Sequence, residues 1–184
     1  MATKEQSVLL EFIMLSFKEL FGITQGLVFF DNRATLAIIR DKFAELLQLK
    51  GEKVTEWIKV LGQAWERWHT TLYNVPMVDN DGVVHTVKAY GMEEITDTVE
   101  YVEVKGVSHL FPEVRYQDIK RPISMVDMLI GLNYAYLHPT NLRTDGNLRL
   151  MSSKFGTGFC NDGSHDAVVG SRITLNPRVN YQEC

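Results

Sequence analysis

Val126-Asp127-Met128-Leu129-Ile130-Gly131 decides how this chain is to be read. The apolar run is too short for a helix of ordinary length and closes on glycine, so it predicts a short buried strand, 126–130. Far upstream lies a second run of the same character, Leu27-Val28-Phe29-Phe30, opened by Gly26 and ended by Asp31. It too predicts a buried strand bounded by turn residues.

Working outward, a short apolar run at 36–39 precedes Asp41-Lys42-Phe43-Ala44-Glu45-Leu46-Leu47-Gln48-Leu49. There Phe43, Leu46, Leu47 and Leu49 share one helical face, Asp41 is placed to cap the helix, and Gly51 to stop it. From Lys53 the pattern turns to strands, at 57–61, 70–78 and 83–90. The last two are joined by Asp79-Asn80-Asp81-Gly82, whose Asp-Gly pair favours a hairpin turn. Residues 98–104 alternate as a further strand. Residues 7–20 carry apolar positions at helical spacing, with Gly22 as a stop, while 8–15 reads equally as a strand. Many short strands with one or two helices predict a mostly β fold, a small barrel and not alternating βαβ units.

Composition narrows the function classes. At 184 residues the chain suits one domain, with or without extended ends. A net charge of −4 without like-charge blocks predicts no direct nucleic-acid binding. The apolar N-terminal stretch is too short to span a bilayer and lacks the features of a secretory signal. Two cysteines, Cys160 and Cys184, make no disulfide framework, so a reduced, cytoplasmic protein is expected. His69, His85, His109, His138 and His165 lack the spacing that would set two on one helix face, so no metal is expected and surface or capping roles are. Cys160 near His165 has no strand-to-helix context for a nucleophile, and Gly156-Thr157-Gly158 is too short for a dinucleotide fingerprint.

Peptide hydrolysis by carboxylates needs one ionised group to activate water and a protonated neighbour to polarise the carbonyl. Two such groups about 3 Å apart share one proton. On its own Asp31, at the end of a buried strand, reads first as a residue that caps a turn and only second as one for that task. The stretch from Leu27 through Asp31, Asn32 and Arg33 to Ala34 resembles the active-site loop of retroviral and retrotransposon aspartic peptidases, apolar-apolar-Asp-Thr/Ser-Gly-Ala/Ser. Asp31 and Ala34 match, whereas Asn32 replaces Thr or Ser and Arg33 replaces Gly. Val126 to Tyr134, followed by Leu137-His138-Pro139, resembles the apolar-Ile-Gly-x-Asn/Asp element in the form found in the BEL/Pao retrotransposon branch. Phe111-Pro112, Arg121-Pro122, Asn147-Leu148-Arg149-Leu150, Lys154-Phe155-Gly156-Thr157-Gly158-Phe159 and Gly163-Ser164-His165 extend the resemblance over residues 27–165.

The resemblance implies a retropepsin-like closed barrel over residues 23–140, with an N-terminal extension at 1–22, helical in one of its two readings, and a trailing segment at 141–184. Asp31 would be catalytic, in a loop with Asn32, Arg33 and Ala34, supported by Ile130, Gly131 and Asn133. Residues 58–69 would form the flap, with Gly62 at its tip and Trp65 beside it. Trp57, Trp65 and Trp68 would either line a substrate groove or pack on the barrel. The implied activity is polyprotein cleavage by a homodimer, one Asp31 from each subunit, on a polypeptide substrate and with no cofactor. Arg33 opposes it: a fixed positive charge beside Asp31 works against the shared-proton state, and an arginine in Gly-only backbone angles would be strained. The alternative is a catalytically inactive domain that binds peptide or a protein partner through the same groove.

Overall fold

The computed structural model describes residues 12–59, 65–96, 107–112, 114, 124–146 and 148–161. It is mostly β. The strands are β1 (Phe12–Lys18), β2 (Ile23–Phe30), β3 (Ile38–Arg40), β4 (Gly51–Lys59), β5 (Trp65–Val78), β6 (Val84–Met92), β7 (Met128–Ile130), β8 (Thr140–Asp145), β9 (Leu148–Ser153) and β10 (Gly156–Asn161). Two short helices, α1 (Asp41–Leu46) and α2 (Val107–Leu110), and a 3-10 helix at Leu132–Leu137 complete the described elements. No described helix is long and apolar enough to cross a membrane.

Seven strands form one sheet in the order β1-β2-β7-β3-β6-β5-β4. β1 is also hydrogen-bonded to β5, at Ser16↔Val78 and Phe17↔Met77, so the pairing returns to its first strand. β7 lies between β2 and β3, parallel to the first and antiparallel to the second. Side chains alternate across the sheet. Ile13, Leu15, Val28, Phe30, Ile39, Val75, Val87, Met128 and Ile130 fill one core. Phe12, Leu27, Phe29, Ile38, Leu129 and Val126 fill another on the opposite face, with Ile95. Burial on both faces is why β7 and the latter half of β2 are continuous apolar runs.

That double burial corrects the helical reading of the N-terminal extension. Over Phe12–Lys18 the chain is a strand, paired with β2 from Phe12↔Phe29 to Lys18↔Ile23. An apolar strand covered on both sides has neither clean alternation nor a polar face, and apolar positions at helical spacing arise in it by default. Residues 1–11 lie outside the described ones. The helix at 41 also departs from expectation. Arg40, not Asp41, is the capping residue and makes no side-chain cap bond. Leu46 is 58% exposed while Phe43 and Leu47 are buried. The chain leaves α1 through Gln48 in the left-handed region (φ 55°), and Gly51 instead opens β4.

The hairpin of β5 and β6 forms as expected, Val78 opposite Val84, with Gly82 at φ 79° in the turn. The expected strand at 98–104 lies outside the described residues. β8, β9 and β10 make a second, three-stranded sheet. Its core of Leu148, Leu150 and Phe159 packs with Phe111, whose ring lies 4.9 Å beneath the Arg143 guanidinium. The β9–β10 turn is fastened to the large sheet. Asn80 N–H donates to the Lys154 carbonyl at 3.0 Å, the Phe155 ring meets His85 at 5.4 Å, and Phe155 is buried in the first core.

Candidate active site

Asp31 follows β2 directly, at the end of the strand that β7 flanks. Its N–H donates to the Ile130 carbonyl at 3.0 Å, so the end of β7 holds the start of the loop. Asp31 is 6% exposed. Its Oδ1 accepts the Arg33 N–H at 2.8 Å, and the Ala34 N–H donates to the Asp31 carbonyl at 3.3 Å. The loop thus curls around its own carboxylate. Ala34 is buried, and its carbonyl accepts the Leu132 N–H at 2.7 Å, a second tie to the chain leaving β7.

Gly131 sits where these ties meet. A Cβ on it would lie 2.5 Å from the Leu36 carbonyl oxygen and 2.6 Å from that of Ala34. Both are backbone atoms and cannot swing aside, so the glycine is required by close approach and not by its φ of −90°. Ile130 is fully buried. Asp31, Ala34, Ile130 and Gly131 are therefore brought together. Asn133 is not: it is exposed on the 3-10 helix.

Asn32 and Arg33 are both exposed. Among the described residues Gln48 is the one non-glycine with positive φ, so Arg33 does not occupy the glycine-only region and the expected backbone strain does not arise. No ion pair between Arg33 and Asp31 is present among the described residues.

Three contributors escaped the sequence analysis. His138, expected at the surface or in a capping role, is half-buried and is the C-cap residue of the 3-10 helix. Its Nε2 lies 3.0 Å from the Gly131 carbonyl and its ring packs edge-on against Phe30 at 5.5 Å. Asp127 and Arg40 form a part-buried ion pair at the far end of β7. Asp127 Oδ2 also accepts the Leu27 N–H at 2.9 Å, and its backbone exchanges bonds with Leu27 and Arg40 at 2.8 Å each. One residue so clamps β2 and β3, the two strands joined by the Asp31 loop. Charged residues 87 positions apart carry no local signal that would pair them.

β4 and β5 form a long ribbon, paired from Gly51↔Tyr73 to Lys59↔Trp65, in the place expected for the flap. β5 meets β6 only from Leu72 onward, so the outer part is two-stranded. Gly62 lies outside the described residues, and Trp65 opens β5. Trp57 and Trp68 occupy opposite faces, so they line no common groove. Trp57 is 60% exposed, with Arg67 over its ring at 6.0 Å. Trp68 packs on Tyr90 at 5.7 Å. Tyr90 ties ribbon to loop: its O–H donates to Glu56 at 3.2 Å and its N–H to the Ala37 carbonyl at 3.0 Å. Burial, then the Glu56 carboxylate, raises the Tyr90 phenol above its ordinary value, which keeps it a donor.

Compared with protein-family models and with curated proteins, the chain matches none.

Proposed function

We propose that this chain is a retropepsin-like aspartic endopeptidase domain of the BEL/Pao retrotransposon type, cutting a polyprotein as a homodimer with one Asp31 from each subunit. The observation that carries the proposal is the union of Asp31, Ala34, Ile130 and Gly131: a buried carboxylate on a loop locked between β2, β3 and the interposed β7. Such rigidity is what a carboxylate pair sharing one proton requires. The circular pairing of β1, β2, β7, β3, β6 and β5 suits a small closed barrel, and the β4–β5 ribbon suits a flap. One Asp loop per chain makes the site complete only on a two-fold axis, where each loop meets its own copy. A cytoplasmic polyprotein is the setting this implies.

Each carboxylate would hold part of the chemistry. The ionised Asp31 takes a proton from water as the water attacks the scissile carbonyl. The protonated Asp31 of the other subunit hydrogen-bonds the carbonyl oxygen and stabilises the negative charge that develops there. The Arg33 N–H bond to Oδ1 orients the carboxylate in either role.

A second reading, a domain that binds peptide without cutting it, is favoured by the Arg33 side chain. It is exposed beside Asp31, where two loops facing each other would have to accommodate two guanidinium groups. One assay decides. Peptide substrates are incubated at mildly acidic pH, about 5, with and without pepstatin. Wild type, Asp31→Asn and Arg33→Gly are compared. Pepstatin-sensitive cleavage lost in Asp31→Asn supports the peptidase. An inactive wild type with Arg33→Gly cleaving at least about tenfold faster, roughly 1.4 kcal/mol of barrier, replaces it with the binding domain. Cleavage that survives Asp31→Asn overturns the site itself.

A further inference from the structure

The outer β4–β5 ribbon separates its charges by face. The cross-strand pairs Lys53↔Thr71, Thr55↔His69 and Trp57↔Arg67 stand on one side, whereas Glu52, Glu56 and Glu66 belong to the alternate positions and stand on the other. Lys53, Arg67 and His69 are exposed, and Trp57 is 60% exposed. Arg67 lies over the indole at 6.0 Å, and among the described residues no second group stacks on the ring. Between Lys53 and the Thr55–His69 pair is an open depression of about 210 Å³, lined also by Val54 and Thr70. Thr55 Oγ1 occupies His69 Nδ1 at 2.9 Å, which turns Nε2 to other partners. At the sheet end Lys53 is bonded to Thr71 at 2.7 Å and shares its field with Asp41, near Glu45 and Glu93. The cationic character is therefore strongest toward Trp57 and Arg67.

We propose that this face binds single-stranded nucleic acid without reading its sequence. Successive pairs on one face are about 6.7 Å apart along a strand, so Lys53, His69 and Arg67 offer a stepped row of donors to a phosphate backbone, and a base stacks on Trp57. Cations interleaved with an exposed aromatic platform are the combination that such binding uses. An acidic peptide would use the cations and leave the indole idle, which is why nucleic acid is the better fit. The net charge of −4 conceals this surface because alternation along the strands sorts the ribbon's acids onto the other side. The inference does not rest on Asp31 or on peptidase activity.

The test uses the full chain and a labelled oligouridylate of about 12 nucleotides, within the range of single-strand site sizes, followed by anisotropy at about 50 and 200 mM salt. Saturable binding is expected at low salt, weakening steeply at high salt. Arg67→Gln and Lys53→Gln should each weaken it and flatten the logarithmic salt slope by about 0.7. Trp57→Ala should weaken it roughly 5- to 150-fold, the range for losing one stacked base. Glu66→Gln, on the opposite face, should bind no worse than wild type, and unchanged melting temperatures should show that all four variants are folded. Absence of low-salt binding, or binding by the three face variants as tight as wild type, overturns the proposal. Equal competition by polyglutamate without an effect of Trp57→Ala also overturns it and assigns the face to an acidic peptide.

Discussion

At the scale of single residues, the loop around Asp31 is held by backbone, and Gly131 is its most constrained member. Any Cβ there must push the carbonyls of Ala34 and Leu36 apart, and those carbonyls belong to the loop that presents Asp31. Gly131→Ala is expected to cost about 1–3 kcal/mol, the range for overpacking a filled site, read as a lower melting temperature. Under the peptidase proposal it should also reduce cleavage in the fraction that remains folded. A melting temperature equal to wild type would show that the loop can yield. The two strand ends were legible in the sequence, because an apolar run closed by glycine and another closed by aspartate each mark one, whereas their meeting was implied only by the resemblance. The reach of His138 was not legible, since nothing local distinguishes a histidine that reaches back seven positions to the Gly131 carbonyl from one in solvent.

At the scale of elements, β7 is three residues long and still sets the geometry of two neighbours. Asp127 explains how, by anchoring Leu27 of β2 and Arg40 of β3 at once. Asp127→Ala leaves the Leu27 N–H without its partner and Arg40 without a counter-charge. The expected loss is about 3 kcal/mol, the low end for breaking a buried pair because Arg40 is 18% exposed. Asp127→Asn keeps an oxygen for the Leu27 N–H and should lose less, so chemical denaturation must rank wild type above Asn above Ala. Among the described residues Arg40 Nε is buried without a partner, so the pair is not an ideal one. A second clamp sits in the β5–β6 turn, where Asp79 accepts from Asp81, Val83 and His85. The His85 bond, above the smaller backbone bonds, holds the Asp79 carboxyl below its ordinary 3.8. A depressed carboxylate contributes stability above that value and loses it as pH falls through the lower folded one. The melting-temperature gap between wild type and His85→Gln should therefore narrow below about pH 4; a gap constant to lower pH would remove Asp79 as its source. The hairpin was legible from Asp-Gly and alternation, whereas β1 stayed open between strand and helix, because burial on both faces erases the periodicity that separates them.

At the scale of the whole molecule, what remains unread in one chain is the second half of the proposed site. Strand order, closure through β1 and β5, and the docking of Phe155 depend on pairings between distant segments, and apolar pattern alone does not specify them. The same holds for a partner subunit. If catalysis needs one Asp31 from each chain, activity per chain must depend on concentration and on the partner's identity. Wild type mixed with a threefold excess of Asp31→Asn would, with random pairing, leave about one-sixteenth of the dimers with two intact aspartates. Cleavage per wild-type chain should then fall to about a quarter, since each wild-type chain meets another only one time in four. Arg33→Gly supplies the background for the experiment if the wild-type chain proves too slow to follow. A rate per intact chain that is indifferent to the mixing ratio would mean that each chain acts alone, and the two-fold site would have to be abandoned even if Asp31 proved essential.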